Sequence, residues 1–262
     1  MDSQINWEPG TLCFACNVCG EICLINGEDL RREQVSCLRC GSSPRTRALI
    51  RVLSLELLGQ NLALPEFPAK KELRGLGMTD AEASAQQLAA KFSYENTYLH
   101  QEPFFDITAP EVAPDRVESS DFVISSEVLE HVKPPVSHAF ANIYRILKPG
   151  GLLVLTVPYR PQPETIEHFP ELNEFTLLEQ NGSYTLRNVT RQGVVEEFSS
   201  LVFHGGPGST LEMRVFGEKA LLSHLELAGF EEIKVHHICD FRHGIWWPEP
   251  WSLPISARKP RS

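Results

Sequence analysis

The sequence predicts an α/β protein whose main domain is an open, mostly parallel sheet with helices on both faces, preceded by a small cysteine-rich segment. Two observations indicate the sheet: strand-like and helix-like segments alternate from residue 69 onward, and residues 152–157 form a continuous apolar run, typical of a strand covered on both faces. A third observation indicates the small segment, because six of the seven cysteines lie between Cys13 and Cys40.

These patterns divide the chain into three parts. Residues 1–44 hold the clustered cysteines, residues 45–68 a linking helix and a connector, and residues 69–262 the sheet domain. Gly59 is the natural C-cap of the linking helix, and Pro65 and Pro68 punctuate the connector. An insertion at about 158–216 is long, polar and without clear periodicity, which is typical of a lid or another functional segment.

The elements of the sheet domain follow from their punctuation. Thr79 and Glu82 show the spacing of a capping box at the start of a helix, and Lys148, Pro149 and Gly150 are expected to stop a later one. The predicted order is strand 71–75, helix 81–92, strand 96–100, strand 121–125, helix 134–147, strand 152–157, helix 218–228, strand 231–238 and strand 253–257.

Composition and charge exclude several classes of protein. The 262 residues are 42% hydrophobic, enough for a sizeable core, and 24 Lys and Arg against 34 Asp and Glu give a formal net charge of -10. Such a charge disfavours a protein whose main task is to hold a phosphate backbone. Because no stretch approaches the roughly 18 apolar residues of a membrane span and residues 1–10 do not resemble a signal peptide, we expect a soluble, cytoplasmic protein without a membrane partner.

The cysteines predict a metal site. Cys16 and Cys19 form one Cys-x-x-Cys-Gly knuckle, Cys37 and Cys40 form a second, and 17 residues separate the two. Two residues between thiolates allow both to reach one tetrahedral ion, and this spacing is typical of four-cysteine zinc sites. The first part of the chain is therefore predicted to be a zinc ribbon whose closed site is structural, with Cys13 and Cys23 as small buried residues.

The segment DFVISSEVLEHVKPPVSHAFANIYRILKPGGLLVLTVPY, residues 121–159, carries a family resemblance. It resembles class I S-adenosylmethionine-dependent methyltransferases, in particular those similar to methyltransferase type 11. The resemblance implies a Rossmann-like doubly wound sheet with an antiparallel last strand. It also implies that S-adenosylmethionine lies beyond the carboxyl ends of the strands.

Several residues correspond to the family's cofactor contacts. Gly75 and Gly77 resemble the glycine-rich loop, and Glu102 stands where the family uses an acid to accept both ribose hydroxyl hydrogens. The remaining contacts that the resemblance implies are Asp106 and Ile107 at the adenine, and Ser126 and Glu127 after the fourth strand.

The loop departs from the family pattern at two positions. Leu73 replaces the usual acidic residue, and Thr79 stands where a third glycine is common. The departure leaves open which group neutralises the cofactor's amino group. Asp80 is one candidate, with a role at the helix start as its alternative.

Methyl transfer requires little beyond a positioned acceptor and, for a hydroxyl, a base. His168, Tyr159 and His131 are the catalytic candidates, and His204 is a further histidine in the insertion. His168 is preferred because it follows a strand end on the cofactor side, with Glu164 and Glu167 close in sequence.

The favoured reaction is methylation of oxygen or nitrogen in a small polar molecule, with a sugar or glycan as the expected acceptor. One alternative is an RNA methyltransferase in which arginines of the first 51 residues, Arg39, Arg45, Arg47 and Arg51, contact nucleic acid. Another is a binding module that has lost the cofactor. The acidic charge disfavours nucleic acid as the partner.

Overall fold

A computed structural model describes residues 10–261 of the chain. Its helices are α1 (Pro44–Leu58), α2 (Glu82–Lys91), α3 (Ser137–Ile146) and α4 (Glu218–Ala228). Its strands are β1 (Thr11–Ala15), β2 (Ile22–Asn26), β3 (Lys70–Met78), β4 (Phe92–Thr97), β5 (Ser120–Ser126), β6 (Leu147–Thr156), β7 (Tyr159–Arg160), β8 (Ile166–Glu167), β9 (Glu174–Gln180), β10 (Ser183–Val189), β11 (Val195–Phe198), β12 (Phe203–His204), β13 (Thr210–Leu211), β14 (Arg214–Gly217), β15 (Glu231–Val235) and β16 (Ile255–Arg258).

Six strands form the central sheet in the order β4-β3-β5-β6-β16-β15. β4, β3, β5 and β6 pair in parallel, whereas β16 runs antiparallel to both β6 and β15. The chain therefore winds outward in both directions from the neighbouring strands β3 and β5. This arrangement confirms the predicted Rossmann-like doubly wound sheet with its antiparallel last strand.

Two apolar clusters cover the faces of this sheet. Val123 of β5 faces α3 and α4, while its neighbours Phe122 and Ile124 face α1 and α2. Alternate residues of β5 thus enter different cores, as the two-residue repeat of a strand requires. The apolar run in β6 is buried for the same reason.

The N-terminal hairpin β1–β2 shares the second of these clusters. Phe14, Cys16, Val18 and Leu30 are buried together with side chains of α1, β5 and β6. The cysteine-rich segment therefore packs into the core of the sheet domain. α1 begins at Pro44 after Ser43, whose side chain caps the helix, and ends at Gly59 in the left-handed conformation that a glycine C-cap favours.

Some local predictions are wrong. Thr79 follows the end of β3 with a φ of 60° and donates its N–H to the Thr97 carbonyl, whereas α2 begins after Ala81, whose side chain makes no capping hydrogen bond. β3 extends through Gly75 and Gly77, and β4 starts and ends earlier than the expected 96–100. Residues 148–151 do follow the end of α3, but they already belong to β6, where Gly150 has a φ of 79°.

The insertion at about 158–216 also differs from the expectation of a segment poor in regular structure. It contains eight short strands, including the antiparallel sheet β11-β10-β9. Phe169, Leu186, Leu211 and Met213 form a small core of its own. Its polar, irregular spacing concealed these strands because only a few residues of each are buried.

Candidate active site

A cavity of about 230 Å³ lies beyond the carboxyl ends of β3 and β5, next to the starts of α1 and α2. Arg45 forms one wall and Asp80 another, with Ser126 at the end of β5. Arg45 donates a hydrogen bond to the Ser126 hydroxyl. The cavity thus presents opposite charges across the position where a doubly wound sheet binds its ligand.

Asp80 is the acid of this cavity. Burial raises its pKa to about 6, although a hydrogen bond from the Tyr94 hydroxyl and the nearby Arg45 favour the charged form. The Asn96 amide accepts and donates hydrogen bonds at the Asp80 backbone, which holds the residue in place. Asp80 lines the cavity, where its carboxylate offers a partner to a cationic ligand group.

The two predicted loop glycines lie inside β3. A Cβ added at Gly75 would come within 2.1 Å of the Phe122 ring, and one at Gly77 within 2.0 Å of the Tyr94 hydroxyl. The protein's own side chains therefore fill the space beside both glycines. Their role as cofactor contacts stays a prediction, and the structure supplies close internal packing as a second reason for glycine.

Glu127 follows Ser126 at the end of β5 and is largely buried. Arg32, which comes from the segment between the cysteine knuckles, binds both of its carboxylate oxygens at 2.8 and 3.1 Å. Arg32 lowers the pKa of Glu127 despite its burial. Arg32 also donates to the carbonyl of Ser252 at 2.8 Å, so one side chain joins the N-terminal segment, the sheet and the C-terminal segment.

The predicted ribose and adenine contacts lie further along the same edge. Glu102 is exposed, five residues beyond the end of β4, and accepts a hydrogen bond from the Phe104 N–H. Asp106 accepts two hydrogen bonds from Thr108, and Ile107 is buried against the core. None of these three residues lines the cavity beside Asp80, and their cofactor roles stay predictions.

A second polar cluster lies over the carboxyl end of β5. It brings together His131, His168 and His204 with the buried acids Glu130 and Glu212. The Glu212 carboxylate binds His168 Nε2 at 2.9 Å and His204 Nε2 at 3.0 Å. Two of the three predicted catalytic residues thus meet at one site, and the acid that orients His168 is Glu212 instead of Glu164 or Glu167.

The turn that carries Glu130 and His131 is fixed by β13 and β14. Met213 donates its N–H to the Glu130 carbonyl at 2.8 Å, and Arg214 donates to the Leu129 carbonyl at 2.7 Å. His131 Nδ1 lies 2.8 Å from the carbonyl of Leu211. These contacts attach the insertion firmly to the end of β5.

Burial sets the electrostatics of this cluster. It raises the pKa of Glu130 well above its usual range, an effect that the nearby Glu127 reinforces. It lowers the pKa of His131, which therefore favours the neutral imidazole.

Tyr159, the third catalytic candidate, lies in β7 and is almost fully buried in the main core. Burial raises the pKa of its hydroxyl to about 12, which makes it a poor proton acceptor or donor near neutral pH. Its backbone N–H and carbonyl both bind the Ser252 hydroxyl. A structural role in joining β7 to the C-terminal segment fits these contacts, and its catalytic role stays a prediction.

The four predicted metal-binding cysteines form one cluster. The Sγ atoms of Cys16, Cys19, Cys37 and Cys40 lie within 4.8 Å of one another, with 3.7 Å between Cys16 and Cys40 and 3.6 Å between Cys19 and Cys37. Thiolates around a tetrahedral zinc at about 2.3 Å would be about 3.8 Å apart. The donor set therefore fits zinc.

The knuckle geometry also agrees with this site. Gly20 and Gly41 have φ angles of 80° and 72°, and their N–H groups bind the carbonyls of Cys16 and Cys37. Positive φ at both positions explains why glycine follows each pair of cysteines. Among the two remaining cysteines of the segment, Cys23 is buried as predicted, but Cys13 is exposed on β1, so that part of the prediction is wrong.

The sequence offered no signal for the roles of Arg32, Arg45 and Glu212. Arg32 and Arg45 reach the site only because the N-terminal segment packs beside β5. Glu212 binds a histidine 44 residues earlier in the chain, so no local spacing relates them. The three residues depend on tertiary packing that a single sequence does not display.

One family model matches the central part of the chain. Residues 73–155 match the family described as a methyltransferase domain. They run from β3 almost to the end of β6 and include Asp80 and Ser126 of the cavity. No curated protein matches the chain.

Several solved methyltransferase structures are similar to this chain at low identity. The sugar N-methyltransferase KedS8 from Streptoalloteichus is 14% identical, with 89% of each chain covered and a TM-score of 0.45. The amino pentose methyltransferase CalS10 from Micromonospora echinaspora is 16% identical, with 84% of this chain and 92% of that chain covered and a TM-score of 0.44. The 1,6-didemethyltoxoflavin-N1-methyltransferase from Burkholderia thailandensis is 15% identical, with 80% of this chain and 76% of that chain covered and a TM-score of 0.43. Similarities at this level carry no information about this chain's acceptor.

No helix within residues 10–261 is long and apolar enough to cross a membrane.

Proposed function

We propose that this S-adenosylmethionine-dependent methyltransferase transfers the methyl group to an oxygen or nitrogen of a small polar acceptor, of the sugar or glycan class. The observation that carries the proposal is the cavity beyond β3 and β5, which is lined by both Arg45 and Asp80 and whose Asp80 and Ser126 lie within the matched residues 73–155. A zwitterionic ligand such as the methionine part of the donor suits this pair of charges.

On the donor side, Asp80 would bind the amino group of the methionine part and Arg45 its carboxylate. Ser126 lies between them at the end of β5 and already accepts a hydrogen bond from Arg45. Glu127 and Arg32 stabilise the strand end beside it. Gly75, Gly77, Glu102, Asp106 and Ile107 are the further cofactor contacts that we propose from the family resemblance.

On the acceptor side, S-adenosylmethionine supplies a methyl group on a sulfonium sulfur, which the acceptor atom displaces in line. His168 is the proposed base for an acceptor hydroxyl, because a neutral imidazole suits proton removal near neutral pH. Glu212 positions this imidazole through its contact with Nε2 and stabilises the protonated ring that results. His131 lies in the same cluster.

We also propose that Cys16, Cys19, Cys37 and Cys40 hold one structural zinc ion. Zinc supplies a fixed tetrahedral crosslink there, and a site closed by four thiolates has no position for a reacting molecule. Its effect on the reaction is indirect: the segment that it holds together contains Arg32, and α1, which follows at once, contains Arg45.

The arginines that would serve an RNA methyltransferase are engaged within the protein. Arg47 is fully buried and donates to Ser36, Ser42 and the Gly244 carbonyl. Arg51 pairs with Asp240, the exposed Arg39 with Glu21, and Arg45 with Glu33 beside the donor cavity. A positively charged surface for a phosphate backbone is therefore not assembled from these side chains, which supports a small acceptor.

Calorimetric titration with S-adenosylmethionine and its demethylated product tests the donor site, with Asp80→Asn and Arg45→Gln as variants. We expect binding by the wild-type protein and weaker binding by both variants; absence of binding by the wild type would favour the non-catalytic module. Transfer of labelled methyl groups to a panel of amino sugars, neutral sugars, glycans and RNA tests the acceptor. Labelling of RNA alone would contradict the proposed acceptor class.

A further inference from the structure

We propose that Glu130, His131 and His204 form a second metal site, which binds a divalent transition-metal ion through one carboxylate and two imidazoles. One ligand atom from each residue lies within 4.8 Å of the other two. Glu130 Oε1 is 3.5 Å from His131 Nε2 and 3.8 Å from His204 Nδ1. Ligands around an ion with bonds of about 2.1 Å would be about 3.4 Å apart, so small movements would complete the site.

Glu130 itself points to a missing ligand. Its side chain is fully buried, and within residues 10–261 neither carboxylate oxygen has a hydrogen-bond partner. A buried charged group without a partner is costly, and acids in such positions are normally paired or coordinate metals. Hydrogen bonds from Met213 and Arg214 to backbone carbonyls hold the turn that carries Glu130.

The hydrogen bonds of His131 direct a lone pair toward Glu130. Its Nδ1 lies 2.8 Å from the carbonyl oxygen of Leu211, which can only accept, so Nδ1 carries the hydrogen. In the neutral imidazole, Nε2 then faces the carboxylate as an acceptor. A cation at this point would contact the Glu130 oxygen and the His131 Nε2 lone pair, which are 3.5 Å apart, at the same time.

His204 is oriented in the same way, but its partner is a carboxylate instead of a backbone carbonyl. Glu212 binds its Nε2 at 3.0 Å, which leaves Nδ1 as the acceptor directed at Glu130. Metal-binding histidines commonly donate their second ring N–H to a carboxylate or a backbone carbonyl. In this cluster, His204 has the Glu212 carboxylate as that partner and His131 has the Leu211 carbonyl. Glu212 is thus a positioning residue, and its contact with His168 connects that imidazole to the site.

Three protein ligands of this kind leave positions open, as in two-histidine, one-carboxylate sites that bind substrates. The site would take an acceptor that offers a hydroxyl, or adjacent hydroxyl and amino groups. The bound hydroxyl would pass its proton to the His168 imidazole, and its oxygen would attack the methyl carbon while the carbon–sulfur bond breaks toward a neutral sulfide. This role rests on the proposed function, whereas the metal site itself does not.

Titration with Co²⁺ of protein that already carries zinc at its cysteine site tests the inference. We expect about one further ion per chain, with visible bands but without the intense sulfur-to-cobalt absorption that binding to the cysteines would produce. His204→Ala and Glu130→Gln should weaken Co²⁺ binding by about 100-fold, and Glu212→Gln by about 10- to 100-fold. His138→Ala, an exposed histidine on α3, serves as the matched control and should bind as the wild type.

The outcomes separate the two proposals. His204 is the most exposed of the three ligands, so its variant keeps the metal test valid even if replacement of the buried Glu130 prevents folding. Absence of cobalt binding, or equal binding by His204→Ala and the wild type, overturns the metal site. If S-adenosylmethionine still binds in that case, the proposed function stands; if cobalt binds but S-adenosylmethionine does not, the metal site stands and the proposed function fails.

Discussion

The N-terminal cysteine segment and the insertion between β6 and α4 reach the same edge of the sheet by different means. From residue 10 onward, the buried apolar side chains of the cysteine segment share a core with the sheet, since Phe14 and Leu30 are buried among side chains of α1, β5 and β6. The insertion has a small core of its own around Phe169 and Leu186 and contacts the β5 turn mainly through hydrogen bonds. The cysteine segment therefore shares the main core directly, whereas the insertion enters the main core at its two ends, through Tyr159 and Phe216.

This difference indicates a division of roles. The cysteine segment and α1 bring Arg32 and Arg45 to the proposed donor side, where the geometry must stay fixed for one cofactor. The insertion brings His168, His204 and Glu212 to the proposed acceptor side. Surface segments that connect the elements of a rigid scaffold commonly carry binding residues, which suits the part of an enzyme that selects an acceptor.

Loss of the cysteine cluster should have the largest effect. Structural zinc contributes about 10 kcal/mol to the folding of small zinc domains, and here the segment shares its core with the sheet. We expect Cys37→Ser to lower zinc content, to reduce the unfolding temperature of the whole domain and to weaken S-adenosylmethionine binding through Arg32 and Arg45. Zinc analysis, thermal unfolding and calorimetry measure these changes.

Cys13→Ser is the matched control, since Cys13 is exposed in the same segment. A Cys37→Ser protein with full zinc content and an unchanged unfolding temperature would show that Cys37 binds no structural ion. If only the cysteine segment melted while donor binding stayed intact, the segment would be the independent appendage that its shared core argues against.

A change in the insertion should lower turnover and leave donor binding intact. His168→Ala should lower turnover by about 10² to 10⁴, the contribution of a general base, while S-adenosylmethionine affinity stays nearly constant. The exposed His237→Ala serves as a control for histidine removal. Full activity of His168→Ala on the true acceptor would eliminate the base, and loss of donor binding would contradict the division between the two regions.

Glu102 tests how far the donor site extends along the sheet edge. Glu102→Ala should weaken S-adenosylmethionine binding by about 1 to 3 kcal/mol, because the cofactor's hydroxyls would lose a charged hydrogen-bond partner. The exposed Glu111→Ala is the control. Calorimetry that finds equal affinity in the Glu102 variant would move the ribose contact to another residue of the loop after β4.

The parts of the fold predictable from sequence are those with local signals. α4 was expected at 218–228 and occurs at Glu218–Ala228, because its apolar face and Gly229 mark both the helix and its end. The two cysteine knuckles are equally predictable, because each is a motif of five consecutive residues. The sequence does not predict β9, β10 and β11, because few of their residues are buried and because apolar and polar residues alternate only weakly along them.

The site was predictable only where chemistry and chain position coincide. The sequence predicts His131 and His168 as separate catalytic candidates. Glu212 binds both His168, 44 residues earlier in the chain, and His204, 8 residues earlier. Asp80 was proposed for the cofactor's amino group, while its facing partner Arg45 belongs to α1 and reaches it only through packing. Pairs formed by tertiary structure are not readable from one sequence.

The smallest expected effect is a pH dependence that separates Asp80 from the insertion's histidines. Burial raises the pKa of Asp80 from 3.8 to about 6, so the folded protein holds the carboxyl proton more tightly than the unfolded chain does. The stability from the protonated form is fully present below about pH 4 and is lost as the pH rises to about 6. Donor affinity should change in the opposite direction, because only the charged carboxylate neutralises an ammonium group.

Below pH 6 we therefore expect S-adenosylmethionine affinity to fall by up to about tenfold per pH unit, measured by calorimetry between pH 5 and 7.5. Asp80→Asn should bind weakly and without this dependence, whereas His168→Ala should retain it. Tyr94→Phe removes one hydrogen bond to the carboxylate, so it should raise the pKa of Asp80 and move the transition to higher pH. A dependence that disappears in His168→Ala and persists in Asp80→Asn would place the titrating group in the insertion and would remove Asp80 from the donor site.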